Sequence, residues 1–157
     1  MVTVRVSEVV SSERARVWTE LARIEDHVEW MRDATAIRFL TATRSGIGTR
    51  FECDTRLGPI RLTDIMEITE WETAAAMGVR HTGAVRGSGR FTLSDAPGPA
   101  TLIEWEEQLT FPWWLGATLG ARVACPVVAA LWRGNLRRLG RRITAGASSP
   151  GQGSARP

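Results

Sequence analysis

The chain has 157 residues, which is enough for one domain with a sizeable core and too short for two. An apolar content of 43% and a charged content of 24% are typical of a globular protein and exclude a disordered chain. The basic side chains are all arginine, and every acidic residue precedes residue 108. The net positive charge therefore lies near the C-terminus, because acidic residues offset the arginines before residue 108. It is not spread as a patch over the domain, so we expect no nucleic-acid partner.

The first predicted element is a strand, because Val2, Val4 and Val6 alternate with polar residues. Such alternation differs from the continuous apolar run of a targeting segment. We therefore expect a cytoplasmic protein in which Cys53 and Cys125 stay reduced.

Two short helical segments follow this strand. Val17, Leu21 and Ile24 recur at helical spacing, which predicts a short amphipathic helix. The next segment, residues 25–31, contains His27 beside several acidic residues. Since no second histidine is near, we expect a solvated His27 on a surface helix and no metal site.

Alternating patterns predict six more strands, separated by turns. They cover approximately residues 37–39, 50–56, 61–71, 77–81, 87–93 and 101–111. In the sixth of these seven strands, Gly87 and Gly89 are in phase with Phe91. Glycines on one face of a strand indicate a bend or the close approach of another group.

A long helix is predicted from about Leu115 to Ile143, and Pro126 should kink it or divide it. Residues 1–144 then form one domain, and residues 145–157 are rich in Gly, Ser and Pro and read as a disordered tail. Trp113 and Trp114, just before the helix, either form a gate at the mouth of a cavity or simply pack over the open end of the sheet.

Two alternatives concern this C-terminal region. Residues 111–132 are long enough to span a bilayer, but prolines, glycines and Arg122 interrupt them, so we expect no stable membrane insertion. The later arginines complement the helix dipole and keep the exposed face of the helix solvated or, alternatively, bind an anionic partner or membrane surface. They are Arg133, Arg137, Arg138, Arg141 and Arg142.

Several motifs, in this order and spacing, resemble those of the polyketide cyclase/dehydrase and lipid-transport superfamily, also called START-like or Bet v 1-like. They are Val17-Trp18, Glu29-Trp30-Met31, residues 46–51, 64–71 and 87–93, and Thr101 to Trp105. The resemblance extends over residues 1–143. It implies an α+β helix-grip fold, with a seven-stranded curved antiparallel sheet around a long C-terminal helix and two short helices after the first strand. It also implies a cavity for a hydrophobic ligand, but the superfamily includes carriers, cyclases, hydrolases and regulators, so no single activity follows.

Three ionisable residues, Asp64, His81 and Glu107, fall in the inward phase of their strands. In an apolar cavity they would anchor a ligand or act as general acid and base. Alternatively, the carboxylates pair with arginine or backbone groups, and His81 is a hydrogen-bonded histidine of the sheet. The other expected ligand-binding residues are apolar: Trp30, Phe51, Met66, Met77, Phe91, Trp105, Val128 and Trp132.

The leading hypothesis is binding or carriage of a small hydrophobic molecule, such as a lipid or polyketide, by a monomer or homodimer. The alternative is a polyketide aromatase/cyclase or dehydratase, which requires two of the three ionisable residues to lie within hydrogen-bond reach. A third possibility is docking of the basic helix on an anionic partner. The sequence contains no cysteine–histidine cluster, phosphate-binding glycine loop or nucleophile elbow, so we expect no metal and no cofactor.

Overall fold

The computed structural model describes residues 1–83, 85–110 and 117–147, with side chains described for residues 125–146 of the last range. Phe111, Trp113 and Trp114 therefore lie outside the described residues, as does the part of the predicted tail after residue 147.

The described chain forms seven strands and three α-helices. In order they are β1 (Val2–Val10), α1 (Arg14–Leu21), a 3-10 turn (Ile24–Asp26), α2 (His27–Trp30), β2 (Ala34–Phe39), β3 (Arg50–Leu57), β4 (Ile60–Glu72), β5 (Ala76–Thr82), β6 (Arg86–Ala96), β7 (Ala100–Thr110) and α3 (Ala117–Ala147). The predicted element order is thus confirmed.

All seven strands belong to one antiparallel sheet in the order β1-β7-β6-β5-β4-β3-β2. Strands β2 to β6 each pair with the next strand in the chain. Strand β1 pairs with β7 and forms one edge of the sheet, and β2 forms the other edge. Helix α3 lies mainly along β1 and also contacts α1 and α2. This α+β architecture is the predicted helix-grip fold.

The core lies between α3, the short helices and the concave face of the sheet. Val17, Leu21 and Ile24 are fully buried there, as their helical spacing predicts. A bulge between Ile68 and Glu70 shifts the register of β4, and beyond it Trp71 turns inward to meet the ring of Trp18 at 5.1 Å.

Pro126 lies inside α3, which continues without a break from residue 117 to residue 147. Of the two predicted effects of Pro126, a kink or a division of the helix, the division does not occur. Pro126 is on the exposed side of the helix, where water can solvate a carbonyl that has lost its amide partner. The helix also runs to Ala147, three residues past the predicted end of the domain.

The arginines of α3 do not lie in its last turn, so the dipole interpretation is wrong. Three of them make specific contacts elsewhere. Arg142 reaches Glu20 and Asp26 at 3.1 Å, while Arg137 lies 3.6 Å from Glu8. Arg138 donates to the carbonyl of Trp30 at 2.9 Å. These contacts attach α3 to β1 and to the short helices.

No helix within the described residues combines the length and the apolar character that crossing a bilayer requires.

Candidate functional site

A cavity of about 250 Å³ lies between the concave face of the sheet and α3. Its wall is largely apolar, and its volume is slightly below the range of about 300–1,000 Å³ that is usual for small-molecule sites. Ten of the eleven predicted site residues line it: Phe51, Asp64, Met66, Met77, His81, Phe91, Trp105, Glu107, Val128 and Trp132. Of the described lining residues, only Ile60, at the start of β4, has an exposed side chain. The cavity therefore approaches the solvent near the β3–β4 turn.

Trp30 is the exception among the predicted wall residues. It is fully buried, but it packs behind the wall, with its ring 4.9 Å from His27 and 6.4 Å from Phe91. The helical segment that carries it packs against α3 and β2 beside the cavity, which corrects the expectation that its indole faces the ligand.

A larger depression of about 620 Å³ lies on the outer side of β1, β6 and β7 and is lined mainly by polar residues. Three of its charged residues are paired, Arg5 with Glu106 and Arg90 with Glu70, which lies outside the depression. Exposed pairs of this kind are common on the solvent face of a sheet. The inner cavity is therefore the better candidate site.

Two glycines bring residues of β5 and β7 together across β6. In the register of the sheet, His81 lies opposite Gly87, and Gly89 lies opposite Glu107. Strands two apart in a sheet are separated by almost 10 Å, and a side chain on the strand between them would normally fill that space. With glycine at both positions of β6, the imidazole and the carboxylate can meet over it.

The three predicted ionisable residues form a hydrogen-bonded triad in the buried wall of the cavity. His81 Nδ1 lies 2.6 Å from Asp64 Oδ2, and His81 Nε2 lies 3.1 Å from Glu107 Oε2. The indole of Trp105 donates to the other oxygen of Glu107 at 2.9 Å. The alternative, in which each carboxylate pairs with arginine or backbone groups, is thus wrong.

The charge of the triad depends on His81. Burial by itself lowers the pKa of His81, but hydrogen bonds to Asp64 and Glu107, together with the charges of both carboxylates, raise it from 6.5 to about 9. At neutral pH the ring is therefore an imidazolium that donates one N–H to each carboxylate.

Both carboxylates lie against glycines. A Cβ at Gly89 would overlap the carboxylate of Glu107, and a Cβ at Gly83 would overlap Oδ1 of Asp64. That Oδ1 is buried and has no hydrogen-bond partner among the described residues. A buried carboxylate oxygen of this kind has unused capacity to accept a hydrogen bond.

A second buried carboxylate, Asp33, lines the cavity at its α3 side. Trp132 Nε1 donates to Asp33 Oδ2 at 3.2 Å, and Asn135 Nδ2 donates to Oδ1 at 2.6 Å. Asn135 in turn accepts from Arg138 at 2.6 Å. Asp33 is not predicted from the sequence, because it lies in a bend before β2 where no periodic pattern indicates which way its side chain points.

His27 is buried and lines the cavity, so the expectation of a solvated side chain is wrong. Its Nε2 lies 2.8 Å from the carbonyl of Leu21, which can only accept, so Nε2 carries the proton. Burial lowers the pKa of His27, outweighing that hydrogen bond and the charges of Asp26 and Glu25. The ring is neutral, and Nδ1 is an acceptor.

Neither the cysteines nor the triad indicates a metal centre. Cys53 is buried, and desolvation raises the pKa of its thiol to about 11, so it is not a thiolate. Among the described residues no group of three or more histidine, cysteine or carboxylate side chains is arranged to hold a metal ion. In the triad, both imidazole nitrogens are already engaged by carboxylates on opposite sides of the ring.

No protein-family model matches the chain, and no curated protein matches it in sequence. Solved structures do match. TTHA0849 from Thermus thermophilus has a TM-score of 0.77 at 18% identity, over 94% of this chain and all of that one.

Two structures of aromatase/cyclases are also similar. Zhui aromatase/cyclase from Streptomyces sp. R1128 has a TM-score of 0.72 at 13% identity, over 94% of this chain and 96% of that one. The di-domain protein StfQ, from the steffimycin biosynthetic pathway, has a TM-score of 0.73 at 14% identity, over 94% of this chain and 52% of that one. Likeness at these identities shows the fold alone, which is the helix-grip fold.

Proposed function

We propose that this protein binds a small, largely apolar molecule in the cavity between the sheet and α3. The observation that carries the proposal is the cavity itself, about 250 Å³ of space walled by aliphatic, sulfur-containing and aromatic side chains. Packed interiors contain few voids larger than a water molecule, and a void of this size would hold roughly eight waters at about 30 Å³ each. Burying an apolar ligand there removes apolar surface of both partners from water.

Uptake of a fluorescent probe tests this proposal. N-phenyl-1-naphthylamine is uncharged, becomes fluorescent in apolar surroundings and would accept energy from Trp105 and Trp132 in the wall. We expect saturable binding with one probe per chain. A linear, non-saturating signal would contradict an internal site.

A cavity-filling substitution and a matched control sharpen this test. Val79 lines the cavity, whereas Ile47 is 72% exposed in the loop before β3. Val79→Phe should weaken probe binding by about tenfold or more, since overfilling a packed site costs about 1–3 kcal/mol. Ile47→Phe adds apolar volume at the surface and should leave the affinity unchanged. Equal affinities of the two variants would place the probe elsewhere.

The triad favours a second candidate, acid–base catalysis on a carbonyl compound in the same cavity. Its two carboxylates and one imidazolium lie within hydrogen-bond reach of each other. A carboxylate base can remove a proton from the carbon next to a carbonyl and leave an enolate. Return of the same proton, or of one from solvent, to that carbon regenerates the carbonyl compound. Enolisation of this kind is a step in aldol cyclisation and dehydration, and two of the structural neighbours are aromatase/cyclases.

Hydrogen–deuterium exchange separates a binding protein from this enzyme. 2-Acetylnaphthalene carries exchangeable methyl protons beside its carbonyl, and their loss in D2O can be followed by NMR. If the triad acts as a base, Glu107→Gln or Asp64→Asn should slow the exchange by about 10²-fold or more. Asp95→Asn, which changes an exposed carboxylate outside the cavity, is the control and should retain the rate. Exchange no faster than in buffer would leave binding as the function.

A further inference from the structure

We infer that the cavity selects ligands that bring their own hydrogen-bond donors and rejects ligands that bring an anion. The inference rests on the proposed ligand-binding function and deepens it by stating the class of head group. It follows from counting the donors and acceptors that the wall presents.

The strong donors of the wall are already in use. His81 gives one N–H to Asp64 and the other to Glu107, so the imidazolium has none left for a ligand. The two indoles of the wall are likewise committed, Trp105 to Glu107 and Trp132 to Asp33. A ligand carboxylate or phosphate would therefore find no free donor among these groups.

Acceptors, in contrast, remain available. Asp64 lines the cavity, and its Oδ1 is buried with no hydrogen-bond partner in the described part of the chain. The terminal torsion of an aspartate is soft, so a small rotation turns this oxygen toward a bound donor. His27 Nδ1, on the neutral ring, is a second acceptor in the wall.

The charges of the wall also disfavour an anionic ligand. As far as the structure describes it, the wall contains three carboxylates, those of Asp33, Asp64 and Glu107, and no arginine. His81 offsets one of the three formal negative charges. An anionic head group would have to be desolvated beside like charges and without a counter-ion, which is strongly unfavourable. A hydroxyl or a protonated amine, in contrast, relieves an unpaired acceptor.

A matched series of naphthalenes tests the inference directly. 2-Methylnaphthalene, 2-naphthalenemethanol, 2-naphthylmethylamine and 2-naphthoate share one apolar body and differ in the head group. We expect the alcohol and the amine to displace N-phenyl-1-naphthylamine at pH 7 at least as well as the methyl compound does. The naphthoate should bind at least tenfold more weakly than the alcohol.

Substitution of Asp64 assigns the selectivity to this carboxylate. In Asp64→Asn the amine should lose about fivefold or more in affinity, and the naphthoate should gain relative to it. Asp95→Asn is the control, because Asp95 carries the same charge on an exposed side chain outside the cavity, and it should keep the wild-type order. Asp33→Asn provides a second cavity variant should Asp64→Asn fail to fold.

The outcomes distinguish this inference from the function on which it rests. Uptake of the probe with equal affinities across the naphthalene series would overturn the selectivity and leave the binding function intact. Tighter binding of naphthoate than of the alcohol would also overturn it. No uptake of the probe or of any naphthalene would overturn both.

Discussion

Trp105 of β7 and Trp132 of α3 stack with their ring centroids 4.6 Å apart and their planes 22° from parallel. Each indole also donates to a different carboxylate, Trp105 to Glu107 and Trp132 to Asp33. The stacked pair therefore connects the two polar clusters of the cavity and attaches the helix to the sheet at the same point. One contact therefore couples the packing of α3 on the sheet to the orientation of both carboxylates.

Coupling between the two tryptophans should be measurable. Trp132→Phe should lower the free energy of unfolding by about 1–3 kcal/mol, since it removes aromatic overlap and leaves Asp33 short of a donor. In a double-mutant cycle with Trp105→Phe, measured by urea unfolding, we expect a coupling energy of about 0.5–1.5 kcal/mol. Trp71→Phe is the control, because Trp71 packs against Trp18 instead. Its effect should add to that of Trp132→Phe, and a strictly additive Trp105 pair would contradict the coupling.

His81 makes stability depend on pH in the alkaline range. Its pKa is about 9 in the folded protein and 6.5 in the unfolded chain. The stabilisation is fully present below pH 6.5 and is lost as the pH rises through 9. By linkage it amounts to about 3 kcal/mol, and urea unfolding between pH 6 and pH 9.5 would measure most of that loss.

A matched variant isolates this contribution. His81→Gln should flatten the pH dependence across that range. The variant should still lose stability above pH 9, because unfolding exposes the buried thiol of Cys53 and allows it to ionise. A His81→Gln protein with the wild-type slope between pH 6.5 and pH 9 would show that His81 is not the titrating group.

Adding one methyl group to β6 should take the triad apart. Gly89→Ala places a Cβ on the carboxylate of Glu107, so that side chain must move away from His81. We expect the pKa of His81 to fall toward 6.5, as measured by NMR titration of the ring. Gly134→Ala is the control, since a Cβ there meets nothing within 4 Å inside a helix. It should leave the pKa unchanged and stabilise the protein by roughly 0.5–1 kcal/mol.

Arg142 should contribute to stability, whereas its exposed neighbour Arg141 should not. Arg142 lies 3.1 Å from both Glu20 and Asp26, and it bridges α3 to the short helices. Arg142→Gln should lower the free energy of unfolding by about 1 kcal/mol at low salt, and by less in 1 M NaCl, where screening is strong. Arg141→Gln removes the same charge and should have almost no effect. Equal losses in the two variants would indicate a general charge effect.

The triad could be predicted in part from the sequence. The alternation of β4, β5 and β7 placed Asp64, His81 and Glu107 on the inward face, and the glycines at positions 87 and 89 indicated a close approach over β6. The register needed to join the two signals depends on every turn between residues 57 and 100. A shift by one residue would have moved each side chain to the opposite face.

Other parts of the site gave no such signal. His27 reads as a surface residue because acids flank it, yet the fold turns its ring into the cavity. Asp33 and Asn135 are 102 residues apart in the chain and meet only because α3 crosses the sheet. Trp30 reads as a wall residue by composition but packs one layer behind the wall.

By itself the sequence determined the order of strands and helices, the antiparallel sheet and the inward phase of three ionisable residues, because these depend on local periodicity and turn chemistry. Only the tertiary structure decided that the three residues touch, that α3 runs unbroken through Pro126, and that a cavity with a surplus of acceptors remains beneath it. Each of these features depends on how close segments far apart in the chain come to one another. The curvature of the sheet and the position of α3 on it set those distances.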